Sequence, residues 1–230
     1  MAEKKTRKIG GFNHILYQPA QFSSREMVQR SADFYNFANR RRSVRHFSSR
    51  PIPREIIENI IKTAGTAPSG ANKQPWTFCL VGKPELKEKI RKAAEKEEYE
   101  SYTTRMSPEW LDDLKKIGTD WHKPYLETAP WLIAVFRRIY EVGKSGQKKN
   151  NYYVSESVGL ACGMLLMAIQ QAGLVALTHT PSPMTFLGEI LERPANERPF
   201  LLIPVGFPAD ETYVPDIQRK RLEEICVVYE

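Results

Sequence analysis

Apolar residues recur along the chain with two alternating periods, one helical and one extended, which predicts a sheet covered by helices on both faces. From Ser24 the positions Met27, Ser31, Phe34 and Ala38 keep a helical period, with Ser23 or Ser24 placed to cap it. Pro53 opens a second helix whose Ile57, Ile60, Ile61 and Ala64 share one face. Pro75 to Val81 reads as a strand. Pro84 starts a long charged helix to about Arg105, and an amphipathic segment with Leu111, Leu114, Ile117 and Trp121 follows Pro108. Pro130 to Arg137 is apolar enough for a buried strand. Gly143 to Lys149 reads as a loop before a helix from about Tyr152 to Ala172, which Gly173 stops. Leu174 to Thr180 and Phe200 to Phe207 predict two more strands around a short helix at about Thr185 to Leu191. Residues 1 to 23 carry no helical period, and a last apolar run spans Ile225 to Tyr229.

The 230 residues can bury a single sizeable core. The most apolar stretch, Val158 to Ile169, is too short to span a bilayer, and basic Met1 to Lys8 precedes no apolar leader. A cytoplasmic protein without a membrane partner is expected. Cys79, Cys162 and Cys226 lie far apart in apolar runs, which suits buried thiols, and the absence of a Cys/His cluster predicts no metal site. The net charge of +7 is concentrated at Lys4 to Lys8, Arg40 to Arg45, Lys148 with Lys149, and Arg219 to Arg221. No nucleic-acid motif accompanies it, so an anionic small molecule is expected rather than nucleic acid. Neither a G-x-S-x-G elbow nor a strand-borne G-x-G-x-x-G is present, which leaves a hydrolytic triad and a Rossmann cofactor site unsupported.

Three segments carry residues suited to chemistry. Arg40-Arg41-Arg42-Ser43-Val44-Arg45 gathers four guanidiniums within six residues, a costly arrangement unless an anion neutralises them; a solvated basic helix end accounts for the run as well. Ala67-Pro68-Ser69-Gly70-Ala71-Asn72-Lys73-Gln74-Pro75-Trp76 is a small-residue turn that lets backbone approach a planar or anionic ligand, and equally an ordinary helix-to-strand connection. Glu98 and Tyr102 share a helix face, with Lys123 further on. On spacing alone a solvated acidic face and a surface lysine are the simpler account.

Taken together, Arg-Arg-Ser-Val-Arg, Ala-Pro-Ser-Gly-Ala, Gln-Pro-Trp and the Val214 to Lys220 element resemble the nitroreductase superfamily, from about Arg41 to Lys220. The middle segment around Glu97 to Tyr102, Trp110 to Lys116 and Trp121 to Lys123 resembles its iodotyrosine deiodinase branch. The resemblance implies an α+β, three-layer fold with a central mixed sheet flanked by helices, as an interlocked homodimer. It divides the chain into an arm at 1–23, an FMN domain at 24–211 with a substrate lid at about 95–125, and an extension at 212–230 that reaches the partner subunit.

It further implies that Arg41, Arg42, Arg45 and Arg219 hold the FMN phosphate, that Ser43 also binds the cofactor, that Ser69 and Gly70 touch the flavin, and that Thr178 and His179 line the cofactor. Thr180 would bond flavin N5 as the catalytic group, an electronic lever on the reduced cofactor. The Ala71 N–H would receive a substrate phenolate, while Glu98, Tyr102 and Lys123 would clamp the amino-acid end. The implied reaction is reductive dehalogenation of 3-iodo-L-tyrosine and related halotyrosines, with electrons from NAD(P)H or a separate reductase. A generic FMN-dependent nitro or quinone reductase is the alternative. His179 departs from the small hydroxyl residue the resemblance implies, and Pro183 follows soon after.

Overall fold

The computed structural model describes residues 5–230, so the first four residues of the expected arm, and of the basic stretch at Met1 to Lys8, lie outside the described residues. In chain order the elements are β1 (Thr6–Ile9), β2 (Phe12–Ile15), α1 (Ser24–Asn39), α2 (Arg54–Ala64), β3 (Trp76–Val81), α3 (Pro84–Glu100), α4 (Pro108–Lys116) and α5 (Tyr125–Thr128). They continue with β4 (Trp131–Arg138), β5 (Tyr140–Val142), β6 (Lys148–Asn150), α6 (Val154–Gln171), β7 (Val175–Ala176), α7 (Thr185–Ile190), β8 (Glu197–Gly206) and α8 (Leu222–Ile225). Two compact units result, one ending at Arg40 and the other running from Arg41 to Glu230. In the first, β1 and β2 form an antiparallel hairpin, and α1 starts in a capping box in which Ser23 and Glu26 satisfy each other's backbone.

The second unit is built on the sheet β3-β4-β8-β7, whose neighbours all pair antiparallel. Its mixed character comes from a parallel bridge between Ser43 and Ala176 at the β7 edge. Strand β4 is buried on both faces, and its side chains alternate between two cores. Ile133 and Val135 join Ile203 and Val205 of β8 against α2 (Ile57, Ile60, Ala64) and α6 (Ala161, Leu165, Ile169). Leu132, Ala134 and Phe136 join Leu202 against α3 (Ile90, Ala94), α5 (Leu126) and α7 (Leu187). This is the expected helix–sheet–helix arrangement, each fully buried Leu or Ile contributing roughly 1.5–3 kcal/mol. Between Val135 and Phe136 the register with β8 slips by one residue, beside Pro199, which has no N–H to give the ladder.

Four expectations change in detail. The long helix from Pro84 leaves α geometry after Glu100 and finishes as a π turn, Ser101–Arg105. The strand expected over Leu174 to Thr180 is ordered as β7 and a single bridge, His179 with Leu202. Of the loop expected at Gly143 to Lys149, residues 143 to 147 are the tip of the β5–β6 hairpin, while Lys148 and Lys149 pair with β5 as part of β6. Within the expected arm, residues 6 to 15 form a hairpin. Among the described residues no helix is long and apolar enough to cross a membrane, and no cluster of His, Cys, Asp and Glu could hold a metal.

Candidate active site

Val44 and Phe47 are buried in the second unit, and the Val44 N–H donates to the Ala176 carbonyl at 3.2 Å. These anchors fix the arginine segment beside the strand that leads to Thr178 and Thr180. A cavity of about 190 Å³ opens there, lined by Arg41, Arg42, Ser43, Arg45 and Arg219 together with Ile117, Pro215, Ile217 and Gln218. The four arginines expected at a phosphate thus meet in one hollow with Ser43, although Arg219 is more than 170 positions away in sequence. The tail is held in place by the chain itself: the Arg42 guanidinium donates to the Pro215 carbonyl, and Arg219 Nη2 donates to the Arg41 carbonyl at 2.8 Å.

The charges there are of one sign. Burial, then the charges of Arg219 and Arg42, hold the Arg41 guanidinium below its usual range. Among the described residues, Arg41, Arg42 and Arg45 form no ion pair with a carboxylate. Such a cluster favours an anion that offers several acceptor oxygens.

The small-residue turn carries three side-chain-bearing residues in the left-handed region, Ala71 (φ 48°), Asn72 (φ 53°) and Gln74 (φ 47°). Ser69 Oγ accepts from the Gln74 N–H at 2.9 Å, and the N–H groups of Gly70, Asn72 and Lys73 are also bonded within the protein. Among the described residues the Ala71 N–H has no acceptor, and Ala71 is exposed. A donor held in strained backbone and left unbonded suits an anionic oxygen. Gly70 is required by packing: a Cβ there would lie 2.9 Å from a ring carbon of Tyr153 and 3.1 Å from the Tyr152 carbonyl oxygen.

The residues expected in the lid converge. Lys87 Nζ donates to the carbonyls of Glu127 (2.7 Å) and Ala129 (2.8 Å), docking the start of α3, whose far end carries Glu98. Lys123 Nζ stands 3.5 Å from Glu98 Oε2 and 5.5 Å from the centre of the Tyr102 ring. Glu98 is 8% and Lys123 3% exposed. Burial raises the Glu98 carboxyl against the opposing charge of Lys123, and lowers the Lys123 ammonium against that of Glu98. Tyr102 donates to the Thr119 carbonyl at 3.3 Å, and burial, then the Glu98 charge, raises its phenol.

In the segment after β7, side chains alternate: Thr178 and Thr180 are exposed, while His179 is buried. His179 therefore points away from the two threonines, with Nδ1 3.4 Å from the Tyr125 hydroxyl and 3.9 Å from Glu98 Oε1. Burial, then the charges of Lys123 and Arg45, push its pKa down to about 3. The lid is tied to the same loop by Ser101 Oγ (3.3 Å) and Arg105 Nη1 (2.8 Å), both donating to the Ser182 carbonyl. Thr178 and Thr180 do not line the arginine cavity.

Sequence reasoning missed Thr119, Tyr125 and Glu95. Thr119 Oγ1 accepts from Lys123 Nζ at 3.3 Å, and Glu95 Oε1 accepts from the Lys123 N–H at 2.8 Å. The spacing Thr119 to Lys123, four residues apart, was a signal; Glu95 and Tyr125 carried none apart from the fold.

The chain matches the nitroreductase family model over residues 38–207. It is 64% identical over 215 residues to iodotyrosine deiodinase of Haliscomenobacter hydrossis, covering 94% of this chain and 97% of that one. Iodotyrosine deiodinase 1 of Homo sapiens is 48% identical over 217 residues, 93% of this chain and 74% of that one. The crystal structure of oxidised iodotyrosine deiodinase bound to FMN and 3-iodo-L-tyrosine superposes with a TM-score of 0.71 at 33% identity, covering 85% of this chain and 98% of that one. By these matches this chain belongs to the nitroreductase family, in its iodotyrosine deiodinase branch.

Proposed function

We propose that this chain is an FMN-dependent oxidoreductase that removes halogen reductively from 3-iodo-L-tyrosine and related halotyrosines. The observation that carries the reading is the meeting of Glu98, Tyr102 and Lys123 under the lid, since a buried carboxylate and a buried ammonium match the two charged ends of an amino acid. A nitro or quinone substrate has no use for such a pair.

The residues present fit FMN. Arg41, Arg42, Ser43, Arg45 and Arg219 would hold the phosphate, for which the like-charged cavity supplies bidentate donors. Ser69 and Gly70 would lie against the flavin, with Thr178 and Thr180 on the exposed side of their segment and the Thr180 hydroxyl at N5. Bound in its reduced form, FMN supplies the two electrons with which the carbon–halogen bond is replaced by carbon–hydrogen and halide leaves. The chain's own part is orientation: the Ala71 N–H donates to the substrate phenolate, while Glu98 takes the ammonium, Lys123 the carboxylate, and Tyr102 donates between them. Lid closure excludes water from that assembly.

The proposal includes a homodimer. Exposed apolar side chains on the 212–230 extension, Tyr213, Ile217, Leu222, Ile225, Val227 and Tyr229, favour burial against a second subunit. Electrons enter from NAD(P)H, directly or through a separate reductase. The test is to reduce the FMN-loaded protein anaerobically and add 3-iodo-L-tyrosine. Tyrosine, iodide and reoxidised flavin in equal amounts are expected; flavin that stays reduced refutes the reading.

A further inference from the structure

Resting on that reading of the clamp, we propose that His179 is the sheet-side anchor of Glu98, a positioning residue that sets preference for substrates bearing an amino-acid ammonium. The backbone of His179 is pinned to β8 at both of its polar groups: its N–H donates to the Leu202 carbonyl at 2.9 Å and its carbonyl accepts the Leu202 N–H at 3.0 Å. Its imidazole is thereby fixed to the central sheet, whereas Glu98 and Lys123 ride on the lid.

The two oxygens of Glu98 face different groups. Oε2 looks to Lys123 Nζ at 3.5 Å, and Oε1 looks to His179 Nδ1 at 3.9 Å. When a halotyrosine enters, Lys123 turns to the substrate carboxylate and the ammonium takes over Oε2. Oε1 keeps its sheet-side neighbour.

The neighbours of the ring place its proton. Nδ1 faces both the Tyr125 hydroxyl and Glu98, while Nε2 is buried and has no hydrogen-bond partner among the described residues. Glu98 is the acid of the cluster, so the proton of a neutral imidazole belongs on Nδ1, directed at the carboxylate. A neutral donor has a specific merit there. It orients the carboxylate through a dipole and leaves its full negative charge for the incoming ammonium, which a lysine or arginine at 179 would cancel. At 3.9 Å the contact is longer than a hydrogen bond, so the lid needs to close by less than about 1 Å to form one.

The experiment uses FMN-loaded protein and two probes, 3-iodo-L-tyrosine and 2-iodophenol, which share the halophenol but differ in the amino-acid end. Asn at 179 sets an amide N–H near the place of Nδ1, and Gln sets it near Nε2. His179→Asn is expected to keep the preference for iodotyrosine within about threefold, and His179→Gln to lose at least about tenfold of it through the Kd of iodotyrosine, with 2-iodophenol unmoved. Equal behaviour of the two variants, or parallel weakening of both ligands, overturns the proposal. In ¹⁵N-histidine spectra of the unsubstituted protein, the His179 signal should report the Nδ1–H tautomer; Nε2–H overturns it as well. Glu98→Gln separates the two levels. If that change spares the preference, the clamp reading falls and His179 with it; if it abolishes the preference while His179→Gln does not, the anchor alone is wrong.

Discussion

Removing one charge of the Glu98–Lys123 pair should cost far more stability than removing both. At 3.5 Å, and with an effective dielectric constant of about 20, the two charges attract by about 5 kcal/mol, a gross figure that largely offsets the cost of taking both out of water. With Lys123 at 3% exposure, Glu98→Gln strands an ammonium in the interior, and Lys123→Met strands a carboxylate. Each single change is expected to destabilise by about 3–5 kcal/mol. Glu98→Gln/Lys123→Met leaves neither charge and should cost much less than the sum. The sign with pH follows from Lys123, whose folded pKa burial already depresses. Without Glu98 it falls further, so the penalty is full below that folded value and fades as pH rises toward the unfolded pKa. Binding obeys a different rule. Under the proposed clamp each charge meets one end of the substrate, so each single variant should bind 3-iodo-L-tyrosine about 10- to 150-fold more weakly, the equivalent of about 1.5–3 kcal/mol for a charge-assisted contact, and the double variant more weakly than either. Urea unfolding followed by tryptophan fluorescence, at a fixed excess of FMN, measures the first effect, and flavin titration with iodotyrosine the second. Stability losses that add within about 0.5 kcal/mol would refute the buried-pair argument. Recovery of binding in the double variant would refute the clamp.

Three further outcomes follow from the same geometry. Arg41→Ala should weaken FMN binding by about 10- to 150-fold, with a shallower salt dependence than the parent; unchanged affinity in a fluorescence titration would remove Arg41 from the phosphate site. Thr180→Ala should lower kcat for dehalogenation at least about tenfold with KM nearly constant, as for a group acting in the transition state, and a change confined to KM would contradict that role. The unfolded state protonates His179 near its ordinary pKa and the folded state only near 3, so the stability it confers is complete above about pH 6.5 and drains away as pH falls. From about pH 6.5 to 5 the parent should lose about 2 kcal/mol more than His179→Asn, and parallel pH profiles of the urea midpoints would exclude the shift.

Most elements legible in the sequence have side chains that meet a core; α1 is the exception, its Met27 and Phe34 keeping a helical period although both are exposed. The period of Ile57, Ile60 and Ala64 in α2, and the unbroken apolar run of β4, are imprints of two faces that the folded chain buries. The short strands of the β1–β2 and β5–β6 hairpins bury nothing deeply and show no readable period, so they pass as arm and loop. The site divides along the same line. Arg41, Arg42 and Arg45 are neighbours in sequence, whereas Glu98 and Lys123 meet only because the π turn and α4 return the chain to the end of α3. No spacing rule anticipates a pair separated by 25 positions.

His179 is a different case, because its direction was implicit. In extended chain, successive side chains leave on opposite faces. A Thr180 and a Thr178 directed at a flavin therefore require the residue between them to face the interior, away from the cofactor they line. The sequence places a histidine there, and an interior histidine has to meet a polar group. Two groups supply it, the Tyr125 hydroxyl at 3.4 Å and the Glu98 carboxylate at 3.9 Å. The residue that departs from the small hydroxyl expected at this position is thus the one whose side chain turns from Thr178 and Thr180 toward Tyr125 and Glu98, and the departure carries information that agreement would not.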